Sequence, residues 1–133
     1  MTKSYADRAR ALVGTRFRPQ GRSEAGLDCV GLVIAAFDLP PDAARSDYRL
    51  RGEHRDEIVQ GLSPHFRHVR NGQGRAGDVL LLSVASDQLH LGIRTATGLV
   101  HADARIGRVV ETPGGPPWPI IGIFRRRRTA KAP

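Results

Sequence analysis

The sequence predicts an α+β domain in which N-terminal helices pack on one face of an antiparallel sheet of five to six strands. Apolar residues recur at helical spacing in the first half of the chain. After residue 65, short segments rich in Val, Ile and Leu are separated by Gly and Asn, which is typical of strands joined by turns. Helices followed by strands is the order of an α+β domain. A chain of 133 residues, 40% of them hydrophobic, suits one domain spanning 1–133.

Three helices are expected before the sheet. The first follows Ser4 and stops at Gly14. The second begins at Asp28, whose carboxylate can cap the helix, and ends before the proline pair at positions 40 and 41. The third covers about residues 53–62 and stops before a Ser-Pro pair.

Six segments are predicted to be strands of a meander. They are residues 66–69, 78–84, 89–93, 98–102, 107–112 and 119–124. The Gly- and Pro-rich stretch between the last two is expected to be a loop. From about residue 125 the chain is expected to be a basic, flexible tail, whose arginines 125–128 are solvated or, alternatively, contact a polyanion.

Charge and cysteine content limit the classes of function. Lys and Arg outnumber Asp and Glu by 21 to 13, which predicts attraction to polyanions such as nucleic acid, anionic lipid or wall polymers. A single cysteine cannot form an intramolecular disulfide, and it excludes a zinc site of several thiolates. No apolar run is long enough to span a bilayer and no signal peptide is visible, so we expect a chain made in the cytoplasm.

Cys29, the only cysteine, is the candidate nucleophile. We expect it in the first turn of the second helix, where unpaired N–H groups and the helix dipole stabilise a thiolate and lower the thiol pKa. The same N–H groups can hold the oxyanion of a tetrahedral intermediate. The start of the second helix would then stabilise both the thiolate of the nucleophile and the oxyanion.

His90 and His101 are the candidate partners of this thiol. Strand alternation puts His90 on the opposite face from Leu89 and Leu91. His101 lies on the next predicted strand, close enough in a hairpin to orient the His90 ring, and the order Cys, His, polar residue is that of a papain-type triad. The other histidines, His54, His65 and His68, lie in polar surroundings and are expected to be solvated.

Two other interpretations of these three residues stay open on spacing alone. A buried cysteine and two strand histidines occur in many inert domains. Cys29, His90 and His101 can also be three ligands of a catalytic zinc. The position of the cysteine at a helix start favours the nucleophile, so we predict no metal and no cofactor.

The segments around these residues resemble the NlpC-type cell-wall peptidases, a papain-like family of cysteine peptidases. The matching segments, in family order, read "GLDCVGLV", "AGDVLLL", "LHLGI" and "GLVHAD". The resemblance implies a papain-like fold with Cys29 as nucleophile, His90 as general base and His101 as the residue that orients it. It also suggests the short branch encoded among the tail genes of phages or of gene transfer agents.

The implied activity is hydrolysis of an amide in the peptidoglycan stem peptide, between D-glutamate and meso-diaminopimelate, through a thioester on Cys29. The stem peptide is then the partner, with phage-like tail proteins as a further partner and no specific nucleic acid. Because the substrate lies outside the cytoplasm, the resemblance implies delivery by a phage-like particle or by lysis.

The chain departs from the family pattern at two positions, and a third residue, Asp28, is predicted to have two roles. Val30 follows the cysteine where the family has Ser, and Phe17 stands where the family has Tyr, whose hydroxyl is a candidate oxyanion donor. Asp28 is predicted both to cap the second helix and to touch the amine of a peptide substrate. The alternatives are a related papain-like amidase or acyltransferase, and a catalytically weak tail or wall-binding module.

Overall fold

The computed structural model describes residues 4–23, 25–40, 43, 55–85 and 88–127. Within them the protein is α+β, with three helices, an antiparallel sheet of six strands and a small two-stranded sheet. This confirms the predicted α+β class and the number of strands in the large sheet, whereas the papain-like fold stays a prediction. The helices are α1 (Tyr5–Ala11), α2 (Cys29–Ala36) and α3 (Arg55–Leu62). The strands are β1 (Arg22–Ser23), β2 (Gly26–Leu27), β3 (Phe66–His68), β4 (Val79–Ala85), β5 (Gln88–Arg94), β6 (Gly98–Asp103), β7 (Arg108–Pro113) and β8 (Ile120–Arg126).

The order of the large sheet is β3-β8-β4-β5-β6-β7, with every neighbouring pair antiparallel. Strands β4 to β7 form the predicted meander. The meander prediction is wrong for β8, which returns to lie between β3 and β4. Residues Ile123 and Phe124 of β8 are buried, and a position inside the sheet gives this apolar strand a partner on both edges.

The helices cover one face of the sheet. Most of α2 is buried, and it packs against β5 and β6. The main core lies between the helices and this face, while a smaller cluster of Leu80, Leu82, Leu99 and Ile123 fills the other face beneath Trp118. No helix in the described residues is long and apolar enough to cross a membrane.

The three predicted helices are present, and side-chain caps set the starts of α1 and α2. Ser4 Oγ accepts a hydrogen bond from the Asp7 N–H at 3.1 Å, and Asp28 caps α2 as predicted. The predicted start of the third helix, at residue 53, lies outside the described residues. Pro41, the second proline of the pair before which the second helix is predicted to end, lies outside them as well. Gly31 in α2 permits close packing, because a Cβ there would collide with the Gly21 carbonyl oxygen.

The prediction of a flexible tail from about residue 125 is wrong for its described part. Arg125 and Arg126 belong to β8. Arg125 donates two hydrogen bonds of 2.8 Å to Asp78, and Arg127 donates to the Ser63 carbonyl at 2.8 Å. Since Asp78 is only 1% exposed, its carboxylate needs a cationic partner. Residues 128–133 lie outside the described part of the chain.

Strands β5 and β6 diverge at the end that carries the two histidines. They pair only at Ile93 with Val100 and Arg94 with Leu99, whereas β6 pairs with β7 along its whole length. Helix α2 contacts both of these strands. Residues of these unpaired strand ends, among them His90 and His101, line a common cleft.

Candidate active site

Cys29 is the first residue of α2 and is 2% exposed. The Asp28 side chain accepts a hydrogen bond from the Gly31 N–H at 2.7 Å and thereby fixes the first turn of the helix. The predicted position of the cysteine at a helix start is confirmed.

The expected lowering of the Cys29 pKa is wrong. Burial raises the pKa of this thiol to about 12, and the negative charge of Asp28 acts in the same direction. The backbone hydrogen bonds at the helix start lower the pKa, but desolvation is the larger effect. Cys29 is therefore a neutral thiol in the unliganded protein, and it needs a base to become a nucleophile.

His90 and His101 are brought together as the sequence predicts. Nε2 of His90 lies 3.1 Å from Nδ1 of His101, with the two rings nearly perpendicular. Nε2 of His101 lies 2.9 Å from Oγ1 of Thr112 on β7. Because Nε2 of His90 is engaged by His101, Nδ1 is the nitrogen of His90 that remains available to another group.

Both imidazoles are held in the neutral form. Burial and the neighbouring His101 lower the pKa of His90 to about 4, with Asp103 opposing the shift. Burial also lowers the pKa of His101, again opposed by Asp103. Neutral imidazole is the form that accepts a proton, so both rings are in the state that a general base requires at neutral pH.

We expect these histidines to make the protein less stable as the pH falls. An unfolded histidine titrates near its usual pKa of 6.5, and the folded His90 near 4, so the unfolded state takes up more protons in this interval. The free energy of unfolding should fall by about 2 kcal/mol between pH 7 and pH 4.5. Denaturant titrations at both pH values measure the loss, and the loss should be clearly smaller in His90→Gln. An equal loss in both proteins would contradict burial of a neutral His90.

Cys29, His90 and His101 line one open cleft of about 580 Å³. The other lining residues are Phe17, Pro19, Gln20, Asp28, Val84, Gln88, Leu89, Ala102, Asp103, Ala104, Arg105 and Trp118. A second, larger depression of about 740 Å³ shares Trp118 but includes none of the three. The cleft that contains the thiol and both imidazoles is therefore the candidate active site.

Asp28 is already held by contacts within the protein. Its carboxylate accepts hydrogen bonds from the Gln20 N–H at 2.9 Å and from Arg22 at 2.9 Å, in addition to the capping bond. The capping role is confirmed. Contact with a substrate amine stays a prediction, supported by the position of Asp28 in the cleft wall.

The two departures from the family pattern fall in different places. The Val30 side chain is 6% exposed, belongs to the main core and is not among the residues that line the cleft. Phe17 does line the cleft. Phe17 is thus the departure that bears on chemistry in the cleft, since its ring offers no hydroxyl donor.

Trp118 and Thr112 are site residues that the sequence analysis missed. The Trp118 ring lies edge-on to both histidines, with centroid distances of 5.7 Å to His90 and 5.3 Å to His101. The indole ring thus contacts both members of the hydrogen-bonded pair. A tryptophan in an otherwise Gly- and Pro-rich loop was the only sequence signal, whereas Thr112 gave none.

His65 and His68 lie away from the cleft. The His68 ring stacks on Phe124 at 5.2 Å, and the His65 backbone carbonyl accepts hydrogen bonds from Arg126 and Arg127. His54 lies outside the described residues. Neither His65 nor His68 is among the residues that line the cleft.

The donor atoms favour the nucleophile over the zinc alternative. Both nitrogens of His101 are engaged, by His90 and by Thr112. Among the described residues, no group of three His, Cys, Asp or Glu side chains is arranged to hold a metal ion. Neither a scan against models of known protein families nor a search of curated proteins returned a match, so the likeness to the NlpC-type peptidases rests on the sequence motifs quoted above.

Proposed function

We propose that the protein is a papain-like cysteine peptidase of the NlpC type that hydrolyses an amide bond in the peptidoglycan stem peptide. The observation that carries the proposal is the convergence of Cys29 at a helix start with the hydrogen-bonded pair of His90 and His101 in one cleft. A thiol, a neutral base and a residue that orients the base are the parts that nucleophilic amide hydrolysis requires.

In the first half of the reaction, Sγ of Cys29 attacks the carbonyl carbon of the scissile amide. The thiol proton moves to Nδ1 of His90 as the C–S bond forms, because neither group is charged beforehand. His90 then gives this proton to the departing amine, and the C–N bond breaks. The acyl group remains on Cys29 as a thioester.

In the second half, water attacks the thioester carbonyl. His90 takes one proton from the water and returns it to the sulfur as the C–S bond breaks. The carboxylic acid product leaves and the neutral thiol is restored. The sum of the two halves is one amide and one water converted to one acid and one amine.

The backbone of the α2 start is the source of oxyanion stabilisation in this scheme. The backbone groups of Cys29 and Val30 favour the thiolate over the thiol, and the positive end of the helix dipole favours negative charge at this place. Phe17 lacks the hydroxyl of the family tyrosine. A missing donor of this kind typically lowers the rate about 100-fold or more, so we propose a slow enzyme.

The substrate is proposed from the sequence resemblance together with charge. The bond is that between D-glutamate and meso-diaminopimelate, in a peptide whose free carboxylates suit a chain with an excess of Lys and Arg. Arg105, an exposed residue of the cleft wall, is a cation placed to meet such a carboxylate. Access to the wall is proposed to follow delivery by a phage-like particle, with its tail proteins as partners, or release by lysis.

Mass spectrometry of digested peptidoglycan tests the proposal. Purified sacculi are incubated with the wild type and, in parallel, with Cys29→Ala. We expect new stem-peptide fragments ending at D-glutamate from the wild type only. Identical products from both proteins would refute the proposed function.

A catalytically weak wall-binding module is the second candidate. The raised pKa of Cys29 and the missing hydroxyl at Phe17 both favour it. Binding to wall material that is retained in Cys29→Ala, with no fragments released by either protein, would identify it. Salt-sensitive binding to DNA without preference for the wall would indicate a general polyanion binder instead.

A further inference from the structure

The hydrogen-bond chain of the site does not end at His101. We propose that Thr112 is a positioning residue that acts through His101 to keep Nδ1 of His90 unprotonated, and thus ready to accept the thiol proton. This inference rests on the proposed function, because it concerns the base of that reaction. The inference assigns a role to Nε2 of His101, the ring nitrogen that faces Thr112.

The contacts form a continuous line across three strands. His90 on β5 meets His101 on β6 at 3.1 Å, and His101 meets Thr112 on β7 at 2.9 Å. His101 is 1% exposed, so each of its ring nitrogens depends on a protein partner rather than on water. Trp118 packs edge-on against both rings.

Neutral imidazole carries one N–H, so the two hydrogen bonds must point the same way along the chain. In one direction, His90 Nε2–H donates to His101, and His101 Nε2–H donates to Oγ1 of Thr112. Nδ1 of His90 then has a free lone pair. In the other direction, the Thr112 hydroxyl donates to His101, and the hydrogen ends on Nδ1 of His90, which disables the base.

Two features favour the first direction. The neutral Cys29 thiol carries its hydrogen on sulfur, and in the proposed reaction this hydrogen passes to His90, which requires a lone pair on Nδ1. Thr112 is half-buried, and its hydroxyl hydrogen can therefore be donated outward to solvent. Hydrogen bonds aligned from thiol to solvent reinforce one another.

The protonated form of His90 requires the same direction of the two hydrogen bonds. Once His90 has taken the thiol proton, both of its nitrogens carry hydrogen. Its Nε2–H then needs an acceptor, and His101 offers one only if its own hydrogen is on Nε2, facing Thr112. The opposite tautomer of His101 would place two N–H groups against each other at 3.1 Å.

The backbone holds Thr112 at the required distance. Thr112 pairs with Leu99 across β6 and β7. Gly98 lets the two strands approach closely there, because a Cβ on Gly98 would collide with the Thr112 carbonyl oxygen. The strand pairing thus fixes the Thr112 backbone. Whether the hydrogen bond to His101 forms then depends on the Thr112 side chain alone.

Nitrogen-15 NMR of histidine-labelled full-length protein tests the proposal without substrate. In the wild type, we expect His90 and His101 both to carry hydrogen on Nε2 and none on Nδ1. Thr112→Val replaces the hydroxyl by a methyl group of the same shape and should shift His101 toward the Nδ1–H tautomer. Thr112→Ser should restore the wild-type pattern. Thr97→Val removes a hydroxyl that bonds Glu111, and this matched control should leave both histidine spectra unchanged.

Kinetics on a stem peptide completes the test. Thr112→Val should lower kcat about tenfold with KM unchanged, as expected for loss of one hydrogen bond made in the transition state, and Thr112→Ser should recover most of the rate. A wild type with hydrogen on Nδ1 of His101, or a Thr112→Val spectrum identical to that of the wild type, would overturn the inference. If the tautomers are as stated but no protein cleaves the peptide, the proposed function fails and not the hydrogen-bond direction.

Discussion

Cys29→Ala should lower the rate of stem-peptide hydrolysis by about five orders of magnitude or more while leaving the fold intact. The substitution removes the only thiol of the chain, and neither His90 nor His101 can form the thioester in its place. The lost sulfur leaves a small cavity at the start of α2, which costs about 1 kcal/mol. Initial rates on a defined stem peptide, together with a denaturant titration, measure both effects.

Cys29→Ser is the matched control for this substitution. The hydroxyl keeps a nucleophile of similar size, but it is a far weaker one because its proton is harder to remove. We expect a residual rate well below that of the wild type and stability close to that of Cys29→Ala. Wild-type rates in Cys29→Ala would show that another group performs the hydrolysis.

Arg125→Met should lower the free energy of unfolding by about 3 kcal/mol. Arg125 is the cationic partner of Asp78, whose side chain is 2% exposed, and the pair is bidentate at 2.8 Å. Asp78 also accepts from the Arg75 N–H at 2.9 Å, so the carboxylate stays in place as a buried, partly paired charge after the guanidinium is lost. Denaturant titrations at pH 7 give the difference.

Arg67→Met is the control for the ion pair. Arg67 lies on β3 directly opposite Arg125 and is exposed, so its replacement removes the same charge from the same sheet. We expect a change within about 0.5 kcal/mol. Equal losses in the two variants would mean that net charge, rather than the contact with Asp78, stabilises this end of the sheet.

The features that could be predicted from the sequence depend on neighbours in the chain. Asp28 caps α2 because a carboxylate reaches the N–H three residues on, and Cys29 follows from that cap. Alternation puts His90 on the face opposite Leu91, and a short connection brings His101 beside it. Each of these features is set by backbone geometry within a few residues.

The features that could not be predicted depend on contacts between distant segments. Arg125 is ordered by Asp78, which lies 47 positions earlier in the chain, and the insertion of β8 beside β4 is equally non-local. The raised pKa of Cys29 comes from burial against β5, although local helix geometry alone would lower it. Trp118 and Thr112 join the site because the sheet brings a loop and an edge strand to the two histidines.

Intact-protein mass spectrometry of the wild type, quenched in acid during turnover of a defined stem peptide, tests the nucleophilic role of Cys29 most directly. We expect a fraction of the protein to gain the mass of the acyl half of the substrate, with peptide mapping locating the addition on Cys29. Product release without any addition to Cys29, continuing at the wild-type rate in Cys29→Ala, would contradict a thioester mechanism in this cleft.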